Sequence, residues 1–159
     1  MTDQGFTHLD DSGHARMVDV TAKEVTVRQA TATGRVLVSR EVASAIRDGA
    51  MPKGDVLAVA RIAGLQAAKR TPDLIPLCHP IAIHGVEVSA ELADEHVDIV
   101  ATVRTADRTG VEMEALTCVA VAGLALIEMV KAVDRMASIV DVRLLEKSGG
   151  RSGHWVRPS

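Results

Sequence analysis

Three prolines within nine residues, Pro72, Pro76 and Pro80, set the strongest limit on how this chain can fold. Each locks its own φ, gives up an N–H, and pushes the residue before it out of the α region. The segment from 69 to 80 therefore reads as stiff and non-helical. It carries the cations Lys69 and Arg70 at one end and Cys78-His79 at the other. A loop that only joins two packed elements has no need of such stiffness. The segment looks built to present side chains.

The patterns on either side are regular. Residues 25–38 are rich in Val and Thr and read as a strand, interrupted near Gly34. Ser39 is placed to cap a short helix over 41–48, which Gly49 closes with Pro52 beyond it. A second helix opens at Gly54-Asp55 and runs to about residue 70, with Val56, Val59, Ile62, Ala63 and Ala67 at helical spacing. Beyond the prolines, 81–92 and 97–104 alternate as two strands joined by 93–96. A phase slip at Gly85 predicts a bulge. A long apolar helix follows over 111–135, about 37 Å if unbroken, and a last strand, 138–145, leads into a glycine-rich tail.

Strand, two helices, two strands, helix, strand is the order of a split βαβ. The expected fold class is thus α+β and ferredoxin-like, an antiparallel sheet covered by helices on one face. Residues 1–16 read as a mobile arm. Residues 17–153 read as one domain and 154–159 as a tail.

With 159 residues the chain can bury a real core, and that core must be aliphatic, because Phe6 and Trp155 are the only aromatics. Single-stranded nucleic acids are commonly held by aromatic stacking, and a net charge of −3 offers no broad cationic footprint. Nucleic acid is therefore not an expected partner. The N-terminal residues lack the apolar stretch of a signal sequence. The run 111–133 is interrupted by Glu112, Glu114, Glu128 and Lys131, so it reads as a buried or interface helix and no membrane is expected. Cys78 and Cys118 are too few for a disulfide framework and fit reduced thiols in the cytoplasm. The small residues Ala115, Cys118, Ala122 and Ala125 invite a close neighbour, and self-association is expected.

Several side chains could carry chemistry. Lys53 stands just before a helix start, where free N–H groups favour an anion, although a solvated lysine beside a cap fits equally. His79 suits acid–base work, phosphate contact or a satisfied loop histidine. A zinc site would need about four ligands, and no other Cys or His has motif spacing to Cys78-His79, so no metal is expected. Thr109-Gly110-Val111-Glu112 matches a capping box, which leaves Glu112 open between a cap and a catalytic role. Glu114 lies close enough to Glu112 for mutual repulsion to raise a pKa. Glu128 and Lys131, three residues apart on one helical face, are either a surface ion pair or an acid–base couple. Lys147 opens a basic glycine-rich stretch whose N–H groups can approach phosphate oxygens, without the order of a Walker loop.

Glu114 and Glu128 are fourteen residues apart, about 21 Å along a straight helix. They cannot both touch one small reacting centre from the same chain. Either two subunits assemble the site, or the two ends serve different parts of a substrate.

Met17-Val18-Asp19-Val20, Lys53-Gly54-Asp55, the run from Gln66 to Thr71, the run from Asp73 to Pro80, Thr109 to Thr117 and Lys147-Ser148-Gly149-Gly150 occur together in this order. In these blocks, spanning roughly 14–153, the chain closely resembles the cyclic pyranopterin monophosphate synthases of molybdenum cofactor biosynthesis. The resemblance implies a lyase that converts 3′,8-cyclo-7,8-dihydro-GTP to cyclic pyranopterin monophosphate with release of pyrophosphate. It also implies a homohexamer, a trimer of dimers with sites at subunit interfaces.

Carried over by position, Leu77, Cys78, His79, Glu112, Met113 and Glu114 bind substrate, Lys53 and Lys147 hold phosphates, and Glu128 with Lys131 does the acid–base work. No cofactor is required by the residues; magnesium with the triphosphate stays open. At position 128 the family pattern usually has Asp, so a slowly turning paralogue that binds the nucleotide stays beside the main reading. A structural partner in a cofactor-assembly complex is the third.

Overall fold

A computed structural model of the protein describes residues 8–158. The element order is β1 (Thr26–Leu37), α1 (Arg40–Arg47), α2 (Val56–Ala68), α3 (Thr71–Leu74), β2 (Gly85–Leu92), β3 (His96–Asp107), α4 (Glu112–Val130), β4 (Ser138–Ser148) and β5 (Trp155–Val156). The strands form one sheet in the order β2-β3-β1-β4-β5, every neighbouring pair antiparallel. β3 lies between β1 and β2, which makes the first crossover a split βαβ and the fold ferredoxin-like.

Alternation in β1 and β3 decides which face takes the helices. Ala30, Ala32 and Val36 alternate with Gln29, Thr31, Thr33 and Arg35, and the buried Val97, Ile99, Ala101 and Val103 of β3 continue the apolar face. The polar face is cross-linked by its own side chains, with Thr31 to Thr102 at 3.0 Å, Arg35 to Asp98 at 2.8 Å and Arg104 to Gln29 at 2.7 Å. α4 crosses the apolar face and buries Ala115, Cys118, Val119, Ala122 and Leu126. By length and composition α4 passes for a membrane span, but its small apolar side chains are packed between the sheet and α2.

Glycines let the backbones approach. A Cβ on Gly34 would lie 2.6 Å from the Val119 side chain, so the interruption expected in β1 is where α4 presses closest. β4 answers with two register shifts, one between Thr31 and Ala32 and one between Thr33 and Arg35, across Gly34 itself. On the other side of α4, a Cβ on Gly64 would meet Cys118 Sγ at 3.0 Å and Ala122 at 3.3 Å. The neighbour invited by the small-residue stripe is in this part α2 of the same chain.

Four boundaries differ from the sequence reading. The segment 69–80 holds one helical turn, α3, because Pro72 falls within the first turn, where its missing N–H would have no helical acceptor. Strand β2 starts at Gly85, in register with Arg104 and with no bulge. Before it, side chains take over from the ladder: the Thr105 hydroxyl donates to Ala82 O, and His84 Nδ1 accepts from the Ala106 N–H at 3.3 Å. α4 ends at Val130, and Asp134 then accepts from the Ser39 N–H at 2.8 Å, turning the chain back towards β4. β4 in turn runs on to Ser148, and Trp155–Val156 of the expected tail pairs against it.

Of the expected arm, residues 8–16 fold back on themselves through a Leu9–Ala15 bridge and Asp10 Oδ1, which accepts from Ser12 and His14 at 2.9 Å. Residues 1–7 lie outside the described residues.

Gly64→Val places a branched side chain where even a methyl is tight, and overpacking of this kind costs about 1–3 kcal/mol. The urea midpoint should fall accordingly, with the slope unchanged.

Candidate functional site

A cleft of about 460 Å³ opens at the N-terminal end of α4. Three stretches of chain wall it. Leu77, Cys78 and His79 come from the proline-stiffened segment, Val18, Val20 and Lys23 from the chain before β1, and Thr109 to Glu114 from the β3–α4 connection and first turn of α4.

His79 ties the first two walls together. Its Nε2 lies 2.6 Å from Val18 O. A carbonyl can only accept, so the proton sits on Nε2 and Nδ1 is left for other work. Cys78 lines the same wall as a neutral thiol, pushed up by burial and then by the nearby Glu114 carboxylate.

The capping box does not form. Val111 is the N-cap of α4 and no side chain caps it. Glu112 turns instead to Lys147, with Nζ to Oε1 at 2.9 Å. Both side chains are about 29% exposed, so the pair is accessible from the cleft side yet partly shielded from water. Glu114 is only 3% exposed, and no basic side chain lies within salt-bridge distance of it among the described residues. Burial pushes its carboxyl up to about 7, its own amide N–H opposes the rise, and the Glu112 charge adds a smaller push. The repulsion expected from sequence is present, but desolvation is the larger cause.

At the far end of α4 stands a second cluster. Glu128 bridges two lysines, with Lys131 Nζ at 2.5 Å from Oε2 and Lys53 Nζ at 2.9 Å from Oε1. Lys53 also donates to the Glu128 carbonyl at 2.7 Å. The Lys131 hydrogen bond first, then that of Lys53, hold the Glu128 carboxyl down to about 2. Lys53 is thereby placed on the Glu128 carboxylate, and Lys147 on Glu112 at the other end of the helix.

The structure thus divides the sequence candidates into two groups. Leu77, Cys78, His79, Glu112, Met113 and Glu114 meet in the cleft, with Lys147 beside it on Glu112; Lys53, Glu128 and Lys131 meet about 21 Å along α4. Thr109, read from the sequence as part of a capping box, lines the cleft as well, as do Lys23 and His8, which the sequence did not mark. Lys23 lies between the Met17–Val20 block and β1, in a stretch with no periodicity to mark it. Only the fold brings it to the cleft that His79 lines.

The chain is of the ferredoxin-like α+β class, with an acid-, thiol- and imidazole-lined cleft at one end of α4 and a separate Lys–Glu–Lys cluster at the other. Residues 17–150 match the MoaC family, and the chain belongs to it. It is 62% identical over 152 residues to the cyclic pyranopterin monophosphate synthase of Streptomyces avermitilis, covering 96% of this chain and 89% of that protein. Proteins of the same name from Streptomyces griseus and Nocardioides sp. are 62% and 59% identical, over 98% and 96% of this chain and 88% and 96% of their own lengths.

A prediction follows from Glu114. Its carboxyl titrates at about 7 when folded, against an ordinary value of 4.5, so between these pH values the folded state binds more protons than the unfolded. Its contribution to stability is full below about 4.5 and is lost as pH rises through about 7. Glu114→Gln should remove that part of the decline, on the order of 2 kcal/mol between pH 5 and 8 at ~1.4 kcal/mol per unit. Urea titrations at the two pH values measure it.

Proposed function

We propose that this protein converts 3′,8-cyclo-7,8-dihydro-GTP to cyclic pyranopterin monophosphate with loss of pyrophosphate, as a lyase of molybdenum cofactor biosynthesis in the cytoplasm. The observation that carries the reading is 62% identity, over nearly the whole chain, to synthases of that name, together with the two charged clusters that α4 holds apart. In this scheme the cleft binds the ring system. His79 and Glu114 offer hydrogen bonds to its nitrogens and oxygens, and the Lys147 ammonium takes the phosphate side.

Opening and reclosing rings needs a proton donor and acceptor held close together, and Lys131 with Glu128 supplies such a pair at 2.5 Å. Lys53, on the same carboxylate, is positioned to take up charge as pyrophosphate leaves. Substrate phosphate drawn to Lys53 competes with Glu128 for that ammonium. The carboxylate is then released from one of its two partners when the substrate arrives.

Separation of the clusters argues for a shared site. A rigid helix keeps Glu114 and Glu128 about 21 Å apart, so a small substrate that needs both takes them from two protomers. A homohexamer built as a trimer of dimers satisfies this requirement. Nothing in the geometry favours the impaired reading: the longer Glu128 side chain spans two lysines at once.

Purified protein given the cyclised nucleotide should form the pterin product. Lys131→Ala should lower kcat by about 10²- to 10⁴-fold. Glu128→Asp draws the carboxylate back by about one methylene and should lower turnover by about tenfold or more. Absence of product from folded wild-type protein that binds substrate would reject the reaction, and a large gain with Glu128→Asp would favour impairment.

A further inference from the structure

Two arginines outside the proposed chemistry hold two of the cleft walls described above and the turn that follows Lys147. Arg28 lies two residues before the buried Ala30, on the face of β1 that takes the helices. Its Nε donates to Asp107 O at 2.9 Å and its Nη2 to Arg108 O at 3.2 Å. Those carbonyls end β3 and start the connection to Thr109 and Gly110 of the cleft.

The same guanidinium supports the turn after Lys147. Gly149 and Gly150 have φ of +94° and +69°, in the left-handed region. A Cβ on Gly150 would lie 2.3 Å from Arg28 Nη1, and one on Gly149 would lie 2.2 Å from Val27 O. The turn is laid directly over Arg28 and its neighbouring backbone. Arg108 then passes the restraint on: its N–H donates to Asp107 Oδ1 at 2.7 Å, and its Nε donates to Lys23 O at 2.9 Å.

We propose that Arg28, acting through Arg108, is a positioning residue that sets the Thr109–Glu112 wall, the Lys147 ammonium and the Lys23 wall relative to one another. Only a planar fork serves here, because two carbonyls must be held at once while the guanidinium stays flat beneath the glycines. An ammonium is a compact charge without a rigid, flat fork, so it cannot lie in one plane beneath the glycines while holding both carbonyls. Displacements of about 1 Å in such walls can cost about a hundredfold in rate. The kinetic side of this proposal rests on the reaction proposed above; the structural side does not.

The test compares wild type with Arg28→Ala, Arg28→Lys, Gly150→Ala and the Arg28→Ala/Gly150→Ala double variant. Amide hydrogen exchange is read on the ligand-free protein, and kcat and KM are read with the cyclised nucleotide. In Arg28→Ala, exchange should rise by about tenfold or more in 20–23, 107–112 and 147–151, while α2 and β2 stay as in wild type. The ratio kcat/KM should fall by about ten- to a hundredfold, mostly in KM, since the Lys131–Glu128 pair is untouched.

Arg28→Lys should recover little of the loss. Gly150→Ala should reproduce it in the wild-type background and add less in the Arg28→Ala background, where the clash with the guanidinium is gone. Wild-type exchange in the three segments, an unchanged KM, or faster exchange spread evenly over the sheet overturns the proposal. If wild type forms no product, the reaction fails, and the exchange pattern alone decides for or against Arg28.

Discussion

Everything in this molecule depends on how closely α4 lies against its neighbours. Among the described residues the core has no aromatic ring to fill space, so packing density has to come from short distances between backbones. Gly34 makes room for Val119, Gly64 for Cys118 and Ala122, and Gly123 for Ile139, whose side chain would be 3.1 Å from an added Cβ. With the sheet on one side and α2 on the other, α4 behaves as a rod whose two ends are set by its middle. Both charged clusters are carried on that rod, so the geometry of the candidate site is the geometry of one buried helix.

The two ends of α4 show how environment assigns different tasks to the same residue type. Glu114 enters the apolar interior without a cation and its carboxyl is pushed up to about 7. Glu128 stands in solvent between two ammonium groups and is held down to about 2. At neutral pH the first therefore carries a proton for a substantial part of the time, whereas the second is ionised. A hydrogen-bond donor and a firm anion are what a site needs if one part recognises a heterocycle and another moves protons beside departing phosphate. Desolvation accounts for the first, and hydrogen bonding for the second.

Much of the fold could be read in advance because its signals are local. Ser39 caps α1 by accepting from the Val42 N–H, and Asp55 caps α2 by accepting from Ala58, as their positions before apolar-periodic runs indicate. The element order was enough to give the ferredoxin-like fold class, because a split crossover has few alternatives. Misreadings arose where a side chain from elsewhere in the chain took a backbone partner. Thr105 and His84 shortened β2, and Asp134 joined to Ser39 shortened α4. Pro72 opened a turn of helix instead of preventing one, since its ring is tolerated in the first turn, where its missing N–H would have no helical acceptor.

The amino-acid sequence by itself determined which groups are available: a stiff wall ending in Cys78-His79, a helix with acids at its start and a Glu–Lys pair at its end, and a lysine ahead of paired glycines. Their separation along α4 was also settled there, because helical rise is a property of the local backbone. Tertiary structure decided the partners. Glu112 abandons a local cap for Lys147, thirty-five residues away, and Glu128 gains Lys53, seventy-five residues away. Lys23 and the two arginines enter the picture only through contacts made across β1 and β3. Spacing along a chain reports neighbours within a turn or a strand. Which charge meets which across the fold depends on the close packing of α4, which no local pattern states.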